Sequence, residues 1–185
     1  MTPGPSGPLA PDAVRLERLP VALVRALVDG GLQRPEGWDP GFPTADTFSA
    51  ARMLLGAYDA LGLDPTSSPW WVFAMVVGDR VVGDAGFHSP PADDGPAEVE
   101  IGYQVVPGAR RRGVATRACG LLLEHAWRHG ADVVRAEVEP GPYADASRAV
   151  LTANGFREVR AGATGGDPGS EVSRFVVERP VGPRT

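Results

Sequence analysis

The spacing of apolar residues predicts alternating strands and helices along most of the chain. Short runs rich in valine and aromatic residues are typical of strands, whereas apolar residues that recur every three to four positions are typical of amphipathic helices. The segments that fit the strand pattern are 14–19, 70–77, 81–88, 99–106, 133–138, a segment from 156, and 171–178. Those that fit the helix pattern are about 20–30, 48–63, 113–129 and 145–154.

The connections between these segments predict how the strands pair. Short polar loops join the strands at 70–77, 81–88 and 99–106, as in an antiparallel meander. The helix at 113–129 connects the last of these to the strand at 133–138, and such a β-α-β unit implies that its two strands are parallel. A glycine-rich loop at 162–169 precedes the last strand. We therefore expect one mixed α/β sheet of about seven strands, flanked by about four helices.

Glycine and proline predict where ordered structure begins and ends. The 185 residues include 24 glycines and 19 prolines, about twice the usual share. Residues 1–12 hold four prolines and two glycines without an apolar period, as expected of a flexible tail. The chain length fits one domain. We expect a single domain at 13–180, with tails at 1–12 and 181–185.

Charge and cysteine content narrow the classes of partner and compartment. The net charge is −5 and the pI is near 5.2, opposite to the basic surface that nucleic-acid binders need. Cys119 is the only cysteine, which leaves no disulfide within the chain or cysteine-rich zinc site and fits a small buried residue. The longest apolar run, eight residues at 70–77, is far shorter than the ~20 that span a bilayer. We expect a soluble cytoplasmic protein without metal, nucleic acid or membrane partners.

One junction between a predicted strand and a predicted helix has the pattern of an anion site. The first amides of a helix have no acceptor within the helix and lie at the positive end of its dipole, so a diphosphate can accept several of them. Before this helix stand Arg110, Arg111 and Arg112, which can pair with phosphate oxygens. Gly113 permits close approach to the backbone, and the Thr116 hydroxyl adds a donor. A solvated turn is the structural alternative, but the place between strand and helix favours phosphate binding.

The same residues resemble the acyl-coenzyme A signature of a known family. The dinucleotide fingerprint GxGxxG and the phosphate loop GxxxxGK[ST] are absent. Instead, the run Arg110-x-x-Gly113-x-Ala115 resembles the pattern [QR]xxGx[GA] of the GNAT N-acetyltransferases. The preceding EVEIGYQV and the following SRAVLTANGF, which begins at Ser147, stand at that family's spacing. The resemblance covers about 98–157 and looks most like the ribosomal-protein N-terminal (alanine) acetyltransferases.

This resemblance implies a fold and an acyl donor. The implied fold is a mixed, mostly antiparallel sheet with a splayed parallel strand pair, here 99–106 and 133–138. The pantetheine arm of acetyl-CoA is expected to insert between these strands, bound by backbone groups of Gln104, Val105 and Val106. The diphosphate is expected on the amides of the following loop and helical turn: Arg111, Arg112, Gly113, Val114, Ala115 and Thr116.

The resemblance also implies a general base and a general acid for transfer of the acetyl group to an amine. Glu100 matches the acidic residue of the family's E-I-G-Y motif, and alternation places it on the polar face of its strand. It is expected to deprotonate the amine or to orient it. Ser147 matches the serine of the family's N-x-x-S element, with Tyr143 as an alternative acid, and Ala144 stands in place of the family's asparagine. The structural alternatives are a solvent-facing Glu100 and a helix-capping Ser147.

The acceptor is the least specified partner. The resemblance places its pocket at about 32–63 and the last strands. Aromatic candidates, which also fit plain packing, are Trp38, Phe42, Phe48 and Tyr58. Acidic candidates, which suit a cationic amine, are Glu36, Asp39 and Asp46. His88 ends a strand from which it could reach the pocket, but a structural role is favoured. His125 and His129 are expected on the helix surface or as partners of the dipole at its C-terminal end. A protein N-terminus and a small-molecule amine fit equally well.

Two other functions fit parts of the sequence. Ala144 favours a non-catalytic, acyl-CoA-binding regulatory module, whereas the presence of Glu100, Ser147 and Tyr143 opposes it. The arginine run fits the phosphates of a nucleic acid, which the acidic pI opposes. A homodimer through an edge strand is compatible with the fold, although no sequence feature indicates it. The leading hypothesis is an N-acetyltransferase that works through a ternary complex.

Overall fold

The computed structural model describes residues 13–92, 95–159 and 172–180. The strands are β1 Val14–Arg18, β2 Val72–Val77, β3 Arg80–Phe87, β4 Glu98–Val105, β5 Val133–Val138, β6 Arg157–Val159 and β7 Ser173–Glu178. The helices are α1 Val21–Asp29, α2 Ala45–Leu61, α3 Val114–Arg128 and α4 Ala144–Ala153. The predicted tails and the predicted loop at 162–169 lie outside the described residues.

The described strands form one sheet in the order β1-β2-β3-β4-β5-β7-β6. Neighbours are antiparallel except β4 and β5, which are parallel and pair only from Glu98 to Glu100. This confirms the predicted mixed α/β fold, including the meander and the β-α-β unit. Beyond Glu100 the parallel strands are no longer paired, so the expected splay opens there.

Apolar side chains on the two faces of the sheet pack against different helices. On one face, Met75 of β2 shares a core with Leu122 of α3. On the other face, Ala74 of β2 shares a core with Leu54 of α2. Each face of the central strands therefore carries a helical layer. Among the described helices, none combines the length and apolar character needed to cross a membrane.

Helix α2 begins at Ala45, three residues before the predicted start at 48. Thr44 caps the helix: its hydroxyl accepts a hydrogen bond from Thr47 N at 3.3 Å, and Thr44 N donates to Thr47 Oγ1 at 3.1 Å. This reciprocal cap lies in a segment whose prolines and glycines predict a loop. The earlier start brings Asp46 and Thr47 into the helical layer above the sheet.

Two side chains of α3 have structural roles. Cys119 is fully buried, and burial raises the pKa of its thiol to about 12, which confirms the expected small core residue. His125 lies in the last turn of α3, where a partner of the helix dipole is expected, but it is half-buried because this turn packs against the sheet. Its Nε2 lies 2.9 Å from Pro69 O, and its ring packs against Phe73 and Phe87. Burial accordingly lowers the pKa of His125.

Candidate active site

The gap between β4 and β5 leaves part of the β4 backbone without a strand partner. In the ladder between β3 and β4, Glu100 O accepts a hydrogen bond from His88 N at 2.9 Å. Such bonds recur at every second residue, so the residues between them direct their backbone groups towards β5. Tyr103 and Val105 occupy these positions, beyond the last β4–β5 pair. A ligand that carries amide groups can therefore add to β4 as a strand would.

This register corrects two of the predicted pantetheine contacts. Val106 N donates to Val82 O at 2.9 Å, and Val106 O accepts from the turn that follows at 3.0 Å, so both groups are paired within the chain. Gln104 lies in the same phase of the ladder, and its backbone also faces β3. Of the three predicted backbone partners, only Val105 faces the gap. Tyr103, which was not predicted, faces it as well. Local sequence could not show this, because the phase depends on how β3 and β4 are aligned.

A cavity of about 550 Å³ extends from this gap to the start of α3. We call it the donor cavity. Its walls are the end of β4, the loop before α3, the first turn of α3, and α4. The predicted donor residues that line it are Gln104, Val105, Arg110, Arg111, Gly113, Val114, Ala115 and Thr116. Val106 and Arg112 are not among its lining residues.

The loop before α3 has the conformation and charge of an anion site. Arg111 and Gly113 have φ angles of 58° and 80°, and the left-handed region is unfavourable for arginine. Such strain is common where a loop is shaped for a ligand. Arg112 Nε is buried and has no hydrogen-bond partner within the described part of the chain. Arg112 does not line the donor cavity, so the anion site depends on the loop conformation, on Arg110 and Arg111, and on the first amides of α3.

A second cavity, of about 580 Å³, lies between the sheet and α2. We call it the acceptor cavity. Its floor consists of three cross-strand pairs: Asp84 with Gln104, Gly86 with Gly102, and His88 with Glu100. The lack of a side chain at Gly102 leaves room in the middle of the floor for the His88 ring. The residues that line both cavities are Tyr103, Gln104, Tyr143 and Ser147, so the two cavities meet there.

Glu100, the predicted general base, is paired with His88. Glu100 Oε1 lies 2.8 Å from His88 Nδ1, and about a third of each side chain is exposed. The hydrogen bond from His88 outweighs desolvation and lowers the pKa of Glu100. Glu100 is therefore an ionised carboxylate at neutral pH. Sequence reasoning placed His88 within reach of the acceptor pocket but favoured a structural role, because nothing local shows a contact between two different strands.

Both predicted candidates for the general acid lie at the start of α4. Ser147 is in the first turn, and Tyr143 is the N-cap residue. The helix has no side-chain cap, so the capping alternative for Ser147 is not realised. Arg110 holds Tyr143 in place: its guanidinium carbon lies 4.2 Å from the centroid of the tyrosine ring, and its Nε donates to Val105 O at 2.8 Å.

The opposite end of the acceptor cavity contains a buried carboxyl that sequence reasoning missed. Asp84 is 5% exposed, and Thr47 Oγ1 donates to its Oδ2 at 2.6 Å. Burial raises the pKa of Asp84 to about 6, with a smaller contribution from the charge of Asp46. Asp46 itself accepts a hydrogen bond from the Gln104 side chain. The available signal was one acidic residue within an otherwise apolar strand, which is costly unless the residue has a function.

The other predicted acceptor candidates divide between the cavity and its surroundings. Asp46 lines the cavity, whereas Glu36 and Asp39 do not. None of the aromatic candidates lines it, namely Trp38, Phe42, Phe48 and Tyr58. Instead, Met53 and Leu54 of α2 provide apolar surface. Within the described ranges, no group of three or more histidine, cysteine or acidic side chains is placed to hold a metal ion.

Comparison with known proteins identifies the family. Residues 25–157 match the family described as the acetyltransferase (GNAT) domain. No significant match to a curated protein was found.

Similar solved structures include yncA from Salmonella typhimurium with its cofactor acetyl-CoA, at 19% identity and a TM-score of 0.55, covering 90% of this chain and 94% of that one. A ribosomal-protein-alanine N-acetyltransferase from Brucella melitensis matches at 19% identity and a TM-score of 0.56, covering 90% of this chain and 99% of that one. RimL, a ribosomal L7/L12 alpha-N-protein acetyltransferase in complex with coenzyme A, matches at 16% identity and a TM-score of 0.57, covering 90% of this chain and 94% of that one. These likenesses concern the fold, and the family match spans most of the sequence: the chain belongs to the GNAT acetyltransferase family.

Proposed function

We propose that this acetyltransferase moves an acetyl group from acetyl-CoA directly to a primary amine, on a protein N-terminus or a small molecule, within a ternary complex. The observation that carries the proposal is the meeting of the donor and acceptor cavities at Tyr103, Gln104, Tyr143 and Ser147. Two separate cavities that share one wall can hold both substrates at the same time. Direct transfer needs this arrangement and no covalent enzyme intermediate.

The donor side fits the pantetheine and diphosphate of coenzyme A. The Tyr103 backbone and the Val105 N–H face the gap, as a strand-like pantetheine requires, whereas Val105 O already accepts from Arg110 Nε. The amides from Arg111 to Thr116, at the start of α3, suit the diphosphate. Val114 and Ala115 lie in the first turn of α3 and form the wall beside it. Bound acetyl-CoA would supply an acetyl thioester, the only chemistry that the chain itself does not provide.

The acceptor side provides groups that can handle protons. An amine attacks only when it is uncharged, so an ammonium must first lose a proton. Glu100 lies on the cavity floor and supplies the negative charge on which this deprotonation depends. Ser147 and Tyr143 lie at the junction of the cavities, where a proton for the departing thiolate is needed. The two remain alternatives for the general acid.

The acceptor is proposed to be cationic. Five carboxyl side chains line its cavity: Asp46, Asp84, Glu100, Glu137 and Glu139. Arg174 Nε donates to Glu137 at 2.9 Å, so the remaining acids set a negative potential at the α2 end. A negative cavity raises the local concentration of a positively charged amine.

Turnover on a panel of amines tests the proposed function. Purified protein with acetyl-CoA should release coenzyme A thiol when a cationic amine is added, with acetylated amine detected by mass spectrometry in equal amount. Peptide N-termini, polyamines and amino sugars form the panel. Thiol release without acetylated amine would indicate hydrolysis and contradict direct transfer. Binding of acetyl-CoA without turnover on any amine would instead favour the non-catalytic acyl-CoA-binding module.

A further inference from the structure

We propose that His88 Nε2, and not the Glu100 carboxylate, is the atom that takes the proton from the acceptor ammonium, and that Glu100 is a positioning residue. This inference rests on the proposed function, because it names the group that prepares the amine for attack. It assigns a catalytic role to a histidine for which the sequence favoured a structural role. Its basis is the contact between the two side chains and the space that surrounds the imidazole.

The contact between His88 and Glu100 fixes the tautomer of the ring. A carboxylate accepts hydrogen bonds and cannot donate them, so His88 Nδ1, at 2.8 Å from Glu100 Oε1, must carry the hydrogen. In the neutral ring the lone pair is then on Nε2. The backbone bond from His88 N to Glu100 O, at 2.9 Å, holds the two residues in register. Glu100 thus fixes the tautomer of His88, as a carboxylate does for many catalytic histidines.

Gly102 provides the space that the imidazole occupies. A Cβ at position 102 would lie 2.7 Å from His88 Nε2, closer than real contacts allow. The ring therefore lies over Gly102, on the same face of β4 as Glu100 and Gln104. Nε2 is directed along β4 away from the carboxylate, towards the part of the floor where the two cavities meet. It is better placed than the carboxylate to reach an amine lying over the glycine pair.

Electrostatics support the same division of roles. The hydrogen bond from His88 lowers the pKa of Glu100, which makes this carboxylate a weak proton acceptor at neutral pH. The same carboxylate remains in contact with the ring at Nδ1 when Nε2 takes a proton. The other charged groups around the pair are Asp46, Asp84, Arg135, Glu137, Glu139 and Arg174.

The proton and bond balance of the reaction is complete. His88 Nε2 takes one proton from the ammonium, which leaves a neutral amine with a free electron pair. That pair forms the C–N bond to the acetyl carbon as the C–S bond breaks and its electrons go to sulfur. The thiolate receives a proton from Ser147 or Tyr143, and the second amine proton, lost as the amide forms, restores the proton of that hydroxyl. His88 then releases its proton to solvent, so one proton is released per turnover.

A set of matched variants tests this assignment. His88→Gln should lower kcat by ~10²-fold or more, with the Kd for coenzyme A unchanged by calorimetry, and should remove the low-pH limb of the kcat profile. Glu100→Gln should lower kcat less and should retain that limb. His129→Gln, an exposed histidine outside both cavities, is the control and should match the wild type. Loss of the limb in Glu100→Gln with its retention in His88→Gln would overturn the assignment.

A readout without turnover separates this inference from the proposed function. Imidazole 15N shifts, assigned by the signal lost in His88→Gln, should show the Nδ1–H tautomer at His88 in the free wild-type protein. In Glu100→Gln this preference should weaken. A protonated Nε2 in the neutral ring of the wild type would overturn the base assignment even if amines are acetylated. Absence of turnover with the Nδ1–H tautomer intact would count against the proposed function instead.

Discussion

Asp84 shows how a single buried carboxyl couples the cavity to the stability of the fold. Its pKa of about 6 in the folded protein lies above the 3.8 of an ordinary aspartate, because burial favours the neutral form. The folded state therefore binds more protons than the unfolded state between these values. The free energy of unfolding falls as pH rises from about 4 to about 6 and stays lower above that. A buried carboxylate that lowers the free energy of unfolding at neutral pH fits a binding role better than a structural role.

We predict that Asp84→Asn removes this pH dependence. The amide keeps an oxygen that accepts from Thr47 Oγ1 and carries no charge. Relative to the wild type, the variant should gain stability across pH 4 to 6, by up to roughly 3 kcal/mol above pH 7. Urea unfolding at several pH values measures the difference. Asp59→Asn, on an exposed part of the same α2, is the matched control, and a difference that does not change with pH would contradict the account.

At the scale of elements, the loop before α3 and the start of α4 face each other across the donor cavity. Arg110 joins them through its contact with the Tyr143 ring. The loop and the first turn of α3 were predicted from the sequence, because an arginine run followed by glycine before a helix is a local pattern. The sequence did not predict which β4 residues direct their backbone groups towards the gap, because this depends on the alignment of β4 with β3. Val106 was therefore assigned a contact that its own strand pairing prevents.

We predict that reversing one charge of this loop weakens coenzyme A binding. Arg111 is exposed and lines the donor cavity, so Arg111→Glu should leave the fold intact. A charge-assisted contact to phosphate contributes about 1.5–3 kcal/mol, and the Kd should rise roughly tenfold or more. Calorimetry with coenzyme A provides the measurement. Arg128→Glu, exposed at the far end of α3, should bind as the wild type does, and equal Kd values for both variants would exclude the loop.

The start of α4 offers two proton donors, and paired variants decide between them. Ser147→Ala and Tyr143→Phe each remove one hydroxyl and little else. We expect one of them to slow the chemical step by ~10²-fold in single-turnover experiments, with coenzyme A affinity unchanged, because only the true acid protonates the thiolate. The other should retain most of the rate. If neither variant slows the chemical step, the general acid lies elsewhere.

At the scale of the whole molecule, the site results from one sheet that opens between β4 and β5. The mixed sheet, its antiparallel meander, the parallel pair and about four flanking helices were predicted from local patterns and connection lengths. The start of α2 was placed too late, because the Thr44–Thr47 cap lies in a segment rich in proline and glycine. The contacts of His88 with Glu100 and of Asp84 with Thr47 join residues on different elements. Such contacts depend on tertiary packing, which the pattern of one sequence does not encode locally.

Isothermal titration with acetyl-CoA and with coenzyme A tests the central claim most directly. The claim is that the gap between β4 and β5 and the loop before α3 together bind the acyl donor. The account predicts a single site per chain with a Kd in the micromolar range for both ligands, weakened in Arg111→Glu and unchanged in Arg128→Glu. No heat of binding with either ligand, for a protein that is folded by circular dichroism, would contradict it.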